Sequence, residues 1–241
     1  MIRNMRTRTK VVLALFAVVV LGAGAGIWWF LRDDAPPRVS LETAAQSVTG
    51  ATATRDGIAG DWAVDSETGT FDFESATGTF AGFRIQERLT GIGSTTAVGR
   101  TGEVSGKITI EGTKVTAASF EVDTASITTN DGRRDDNVQD ALSVSRFPKA
   151  TFTLTDPVEL GTEAATGKPI AVEAKGTLTI KGVTKNVTIP IEAQLVNGTV
   201  VVVGSTDIVF SDYGVEVPRS QVVLSVDNHG IMEFQLLLTP V

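Results

Sequence analysis

From Trp62 onward the chain repeats itself every second residue, and that period constrains its fold more than anything else in the sequence. Phe71 and Phe73 alternate with Asp72 and Glu74, and Phe83 and Ile85 with Arg84 and Gln86. Val104, Gly106, Ile108 and Ile110 form one such set, and Ala118, Phe120 and Val122 another. Phe152 with Leu154 and Leu178 with Ile180 follow, then Val187, Ile189, Ile191, Ala193 and Leu195. Runs at Val200–Phe210, Val222–Val226 and Ile231–Leu238 close the chain. Period two places alternate side chains on opposite faces of a strand. Glu111-Gly112, Lys181-Gly182, Asn197-Gly198 and His229-Gly230 interrupt the runs, and Asn-Gly between apolar strands is a strong hairpin signal. The spacing predicts about eight to ten strands in an antiparallel sandwich or barrel. One-sided alternation predicts an apolar inner face and a wet outer one.

Asp131 to Ser143 breaks the period. Val138 and Leu142 stand four apart with Ala141 beside them, which predicts a short helix capping the sheet before Phe147-Pro148. One helix with eight antiparallel strands makes a barrel whose interior is just wide enough to fill with side chains or to hold one slim ligand. No repeat of 20–50 residues suggests a propeller or solenoid.

Composition removes several chemistries. The 241 residues contain no Cys and one His, so disulfides, thiolate metal sites, cysteine nucleophiles and a multi-His zinc site are excluded. Residues 40–241 carry 15 basic and 26 acidic side chains, a net charge of −11. A body this acidic repels phosphate backbones, and nucleic acid is not an expected partner.

The N-terminus reads differently. Arg3, Arg6, Arg8 and Lys10 precede an uncharged run from Val11 to Leu31 that ends in Trp28, Trp29 and Phe30. At 1.5 Å per residue this run spans a hydrocarbon core about 30 Å thick. Basic residues before the run predict a cytoplasmic tail over 1–10, a transmembrane signal anchor over 11–31 and an extracytoplasmic body, with the protein single-pass in the cell membrane. A cleaved signal peptide is the rival, with Gly22–Gly26 as a cleavage region, but its apolar stretch would be shorter, about 7–15 residues. Residues 32–60 are rich in Ala, Thr, Ser, Gly and Pro and read as a flexible linker, with a helical turn or two at Leu41–Ser47; the folded domain is expected over 61–241.

Several candidate sites have a plain structural account. Asn130-Asp131-Gly132-Arg133-Arg134-Asp135-Asp136 fails the EF-hand template, because Ile127 and Thr129 stand where ligands are needed; no metal site is expected. Asp135 and Asp136 suit a helix start, and Arg133 and Arg134 either pair with them or meet a lipid phosphate. His229 lies with Asp227 in one expected hairpin turn, and no Gly-x-Ser-x-Gly elbow accompanies it. Asp65, Asp72 and Glu74 are expected to point outward, opposite Phe71 and Phe73, rather than to form a glycosidase pair. Asn186-Val187-Thr188 and Asn197-Gly198-Thr199 match the glycosylation sequon and are given no role. No catalytic residue and no cofactor are expected.

The order of motifs resembles the YceI-like proteins of bacterial envelopes. Trp62-Ala63-Val64-Asp65 precedes spaced aromatics; Val122-Asp123, Ser126-Ile127-Thr128-Thr129, Arg134-Asp135, Phe147-Pro148 and Thr151-Phe152 follow in order. The most specific stretch is GTLTIKGVTKNVTIPIEAQL from Gly176 to Leu195, and Ser211-Asp212-Tyr213-Gly214 resembles a late element of the family. The segment from Gly91 to Thr101 is similar to an actinobacterial branch. Two features depart from the pattern: the apparent anchor, and Ser145-Arg146-Phe147 in place of paired Phe before the Pro.

The resemblance implies a mainly β fold, an eight-stranded antiparallel lipocalin-like barrel with one short capping helix, here preceded by the single N-terminal transmembrane helix. It also implies a polyisoprenoid or other apolar lipid inside. Phe71, Phe73, Phe83, Phe120, Leu142, Phe152, Phe210 and Phe234 are the residues expected to line that interior. Stability alone is sufficient reason for buried Phe, at about 1.5–3 kcal/mol each, so a filled barrel without ligand is the alternative.

Overall fold

Antiparallel pairing dominates the computed structural model, which describes residues 35–48, 57–65, 70–89, 93–216 and 223–241. The expected cytoplasmic tail and transmembrane segment lie outside the described residues. Among the described residues, no helix is long and apolar enough to cross a membrane.

The strands are β1 (Gly60–Val64), β2 (Phe80–Leu89), β3 (Gly93–Thr101), β4 (Val104–Glu111), β5 (Lys114–Asp123), β6 (Thr128–Thr129), β7 (Lys149–Leu154), β8 (Val158–Glu159), β9 (Ile170–Ile180), β10 (Val183–Val196), β11 (Thr199–Val209) and β12 (Val223–Pro240). Eight of them close a ring in the order β1-β4-β5-β7-β9-β10-β11-β12, with β1 returning to β12 through Trp62↔Pro240 and Val64↔Leu238. The long β12 makes closure and branching compatible. Its Leu238–Pro240 end pairs β1, while Val223–Gln235 pairs β2 along the same edge, so β2, β3 and β6 leave the ring as a flap.

Turn chemistry sets the register where it was expected to. Lys181-Gly182 joins β9 to β10 with φ of 50° and 76°, and Asn197-Gly198 joins β10 to β11 with φ of 50° and 81°. Two successive positive φ values match the right-handed twist of the flanking strands. His229-Gly230, expected as a turn, lies inside β12. Register against β2 slips between Val226 and Gly230, while His229 stays paired with Val209 of β11. The extra residues form a bulge because partner strands continue on both sides.

The expected strand at Phe71–Glu74 is also corrected. The Asp72 carboxylate accepts from the Ser75 N–H at 2.7 Å and its hydroxyl at 2.6 Å, and Asp72 meets Thr77 only in an isolated bridge. A side chain bonding its own backbone in this way makes a turn.

Among the described residues two α-helices flank the barrel: α1 (Leu41–Ser47) and α2 (Asp135–Leu142). The second is the expected capping helix. Its chain enters through a 3-10 turn at Gly132–Arg134 and leaves at Ser143, which adopts φ 54°. Part of the expected linker is not a tether. Leu41, Ala44 and Val48 are buried on Val201, Val203 and Leu237, so residues 35–48 form a strap across the outside of β11 and β12. Ile58 also belongs to the core, packed with Trp62, Ile108, Ile110 and Leu238. The Trp62 indole is fully buried and donates to the Ile58 carbonyl at 2.8 Å.

Candidate lipid chamber

Successive residues of β12 face two different environments. Met232, Phe234 and Leu236 border the barrel lumen, whereas Glu233, Gln235 and Leu237 are buried between the sheet and its outer cover. The lumen holds a central chamber of about 160 Å³, bounded by Phe83, Phe120, Leu142, Phe152, Phe210 and Phe234 together with aliphatic residues such as Val122, Ile180, Ile191 and Ile208. A second chamber of about 100 Å³ lies towards Ile58, Ile108 and Leu160, and Phe120, Phe152, Ile191 and Val202 border both. A third, of about 130 Å³, lies beneath α2 and is bordered by Val138, Ala141 and Val215; Phe83, Leu142 and Phe210 divide it from the central one. The three spaces therefore follow one another, separated by aromatic side chains.

Glycine keeps these rings against the wall. A Cβ on Gly106 would stand 2.5 Å from the Phe120 ring, on Gly176 2.5 Å from Phe152, and on Gly204 2.4 Å from Phe234. Gly99 and Gly230 stand in the same relation to Phe83 (2.5 Å) and Phe210 (2.6 Å). Phe83, Phe120 and Phe234 are direct cross-strand partners of their glycines. Glycine inside a strand leaves a shelf on which a neighbouring aromatic lies flat. The rings lie against backbone on the barrel wall and form the partitions between the chambers. Phe83 and Phe210 then meet edge to face, with centroids 6.4 Å apart.

Six of the eight residues expected to line the interior do so: Phe83, Phe120, Leu142, Phe152, Phe210 and Phe234. Phe71 and Phe73 do not. Phe71 packs on Phe80 at a centroid distance of 5.8 Å and lies over Gly102. Phe73 offers its carbonyl to Arg100 Nη1 at 3.0 Å and its ring to the same guanidinium at 5.8 Å. Both belong to the outer cover, because the segment that carries them turns back instead of entering the sheet. The aliphatic lining was visible in the alternation at Ile189 and Ile191, although the aromatic residues stood out more.

Polar side chains mark two other places. Arg84 Nε reaches Glu233 Oε2 at 2.8 Å, and Arg100 Nη2 reaches Glu233 Oε1 at 2.7 Å, with Arg100 fully buried and Glu233 1% exposed. Arg84 Nη2 also donates to the carbonyls of Pro36 and Pro37 at 2.6 and 2.5 Å, and Arg100 Nη2 to that of Pro37 at 2.6 Å. Burial lowers the Arg100 pKa and Glu233 opposes the shift. The second place is the chamber beneath α2, where the guanidinium of Arg134 pairs with the buried carboxylate of Glu87. Alternation marks Arg84 as outward but says nothing of its burial, and neither charge cluster follows from spacing.

The other sequence candidates stay peripheral. His229 and Asp227 are exposed on β12, and Asp131 is bonded by Arg133 Nη2 at 2.7 Å. Asp135 caps its own loop, accepting from the Thr129 N–H at 2.9 Å and hydroxyl at 2.7 Å. Among the described residues, no group of three His, Asp or Glu side chains is placed to hold a metal ion.

The chain is similar to known proteins in sequence and in fold. A family model described as the YceI-like domain matches residues 62–237. Protein YceI of Salmonella arizonae and that of Salmonella paratyphi B are each 33% identical over 120 residues, covering 48% of this chain and 56% of theirs. The chain thus spans little more than half the length of those relatives. A polyisoprenoid binding domain from Saccharophagus degradans, implicated in plant cell wall breakdown, superposes with a TM-score of 0.54 at 16% identity, over 75% of this chain and 98% of that one. BcnA of Burkholderia cenocepacia superposes with a TM-score of 0.50 at 19% identity, over 66% and 95%. With the model match spanning most of the chain, the protein belongs to the YceI-like family.

Proposed function

We propose that the barrel is a non-catalytic holder for an apolar lipid of isoprenoid or quinone type, extracytoplasmic and tethered to the cell membrane by residues 11–31. The observation that carries this reading is the row of chambers whose aromatic walls rest on glycines. A sequence selected only to fill a barrel has no need of glycine under each ring. Affinity would come from desolvation: each CH₂ buried contributes about 0.8 kcal/mol, so a long chain binds without directional contacts. The Saccharophagus domain, which binds polyisoprenoid, supports the ligand class. The uncharged run after a basic cluster supports the tether.

The small size of each chamber favours a second reading, a ligand-free barrel serving as an envelope stress or protein-interaction module. Ligand pockets are usually about 300–1,000 Å³, and none of the three chambers reaches that alone. A lipid would connect them by rotating Phe120 and Phe152.

Native mass spectrometry of the full chain, released from membranes in lipid nanodiscs and paired with lipid analysis of an organic extract, separates the two. One prenyl-type lipid per protein is the expected result. A barrel that stays empty after incubation with total membrane lipid leaves the interaction module.

A further inference from the structure

The chamber beneath α2 differs from the other two in chemistry. We propose that it is a head-group site that accepts a neutral, hydrogen-bonding head and turns away phosphate and carboxylate heads; this deepens the lipid-holding reading and rests on it.

Position is the first argument. This chamber ends the row, so a chain threaded through the other two would leave its polar end here. At the opposite end the polar lining is Lys168 and Gln194. Lys168 is exposed and paired with Glu163, and Gln194 Nε2 is bonded to the Gly167 carbonyl at 2.9 Å. Glu233 borders the central chamber, but its carboxylate is held by Arg84 and Arg100 beneath the strap. Glu87 is different: it is 6% exposed, its ion-pair partner Arg134 also lines the chamber, and Phe83, Ile85 and Val138 surround them.

Charge is the second argument. Among the described residues the charged lining consists of Glu87, Glu216 and Arg134, so it is net negative, and the one cation among them is already paired. Asp131 and Asp135 stand beside it on the α2 approach, held by Arg133 and by Thr129. Lys181, which bonds the Gly214 carbonyl at 2.8 Å nearby, lies outside the lining. An anionic head entering here meets a buried carboxylate and must either lose its water unpaired or break Glu87 from Arg134. A carbonyl or hydroxyl head meets no such repulsion. A guanidinium has five N–H donors, and among the described residues Arg134 uses Nη2 on Glu87 and Nη1 on Asn130 (3.4 Å), fewer than its five N–H groups can make. The Asn137 amide in the same lining supplies a second polar group.

The test uses two probes with one tail, geranylgeraniol and geranylgeranyl phosphate, competed on the full chain in nanodiscs and normalised to their partition into protein-free nanodiscs. At least tenfold preference for the alcohol is expected, narrowing several-fold in Glu87→Gln and in Glu216→Gln. The second variant alters an exposed side chain, which keeps the test valid if the first misfolds. Equal or tighter binding of the phosphate overturns the head-group site and leaves the lipid-holding barrel standing. A preference for the alcohol that neither variant changes overturns the assignment to this chamber. Binding of neither probe overturns the lipid-holding reading, and the head-group site with it.

Discussion

The inner and outer faces of β11 and β12 are both buried, yet they are built on opposite principles. Inside, Val202, Met232, Phe234 and Leu236 border open space through contacts that have no direction. Outside, Glu233, Gln235, Thr199 and Leu237 are buried, and the Glu233 carboxylate and the Gln235 amide N–H groups are bonded to partners fixed in direction. Gln235 donates to the Gly78 carbonyl at 2.8 Å, and the Thr79 hydroxyl accepts from the Leu237 N–H at 3.1 Å. The Arg84–Glu233–Arg100 triad takes the carbonyls of Pro36, Pro37 and Phe73 as further acceptors. The outer face is fixed by directional bonds, while the inner face is bounded by contacts that prescribe no direction.

Breaking the outer face should have the largest effect. Glu233→Gln removes the charge between two buried guanidinium groups and is expected to lower stability by about 3–5 kcal/mol. Urea denaturation measures this, and hydrogen exchange should show α1 losing protection in the same variant. Replacing Arg84 and Arg100 by Met together with Glu233 by Leu is expected to recover most of the loss, because no stranded charge remains. A single-variant cost below about 1 kcal/mol would show that the outer face is not held electrostatically.

An intermediate effect is expected where the inner face depends on backbone. Gly204→Ala places a methyl group 2.4 Å from the Phe234 ring and forces that ring into the lumen. Overpacking of this kind costs about 1–3 kcal/mol. Lipid retention, read by native mass spectrometry, should fall as well. Adding Phe234→Leu should restore the stability, and recovery in the double variant identifies the clash as the cause.

The smallest effect is expected from changes of shape inside the lumen. Met232→Leu nearly conserves volume and should cost less than about 1.5 kcal/mol by denaturation, with lipid retention unchanged. Gln235→Leu, three residues further along β12 and on the opposite face, strands the Ala76 and Gly78 carbonyls and should cost more. If the two substitutions cost the same, the contrast between the faces fails.

Much of the barrel was legible because its signals are local. Lys181-Gly182 and Asn197-Gly198 turn as expected, since a two-residue turn answers to its own φ angles and to the strands beside it. The same type of signal failed at His229-Gly230, where β11 and β2 run past on both edges and extend the strand. Phe71 and Phe73 alternate as a strand does, but among the described residues Asp72 meets only Thr77 in an isolated bridge and closes a turn. The linker composition of residues 35–48 is that of a tether, and its apolar residues Leu41, Ala44 and Val48 are too few to announce a docking face.

From the sequence alone came the strand period, the hairpin turns, the capping helix, the family and most of the luminal aromatics. Each of these is carried by neighbours along the chain or by the order of short motifs. The tertiary structure alone decided which outward-facing residues are dry. Glu233 meets Arg84 and Arg100 from far earlier in the chain, and their remaining donors meet carbonyls from Pro36 and Pro37. A polar residue at an outward position has the same pattern whether water or protein covers it. The covering segment comes from a distant part of the chain, so local periodicity carries no record of its arrival.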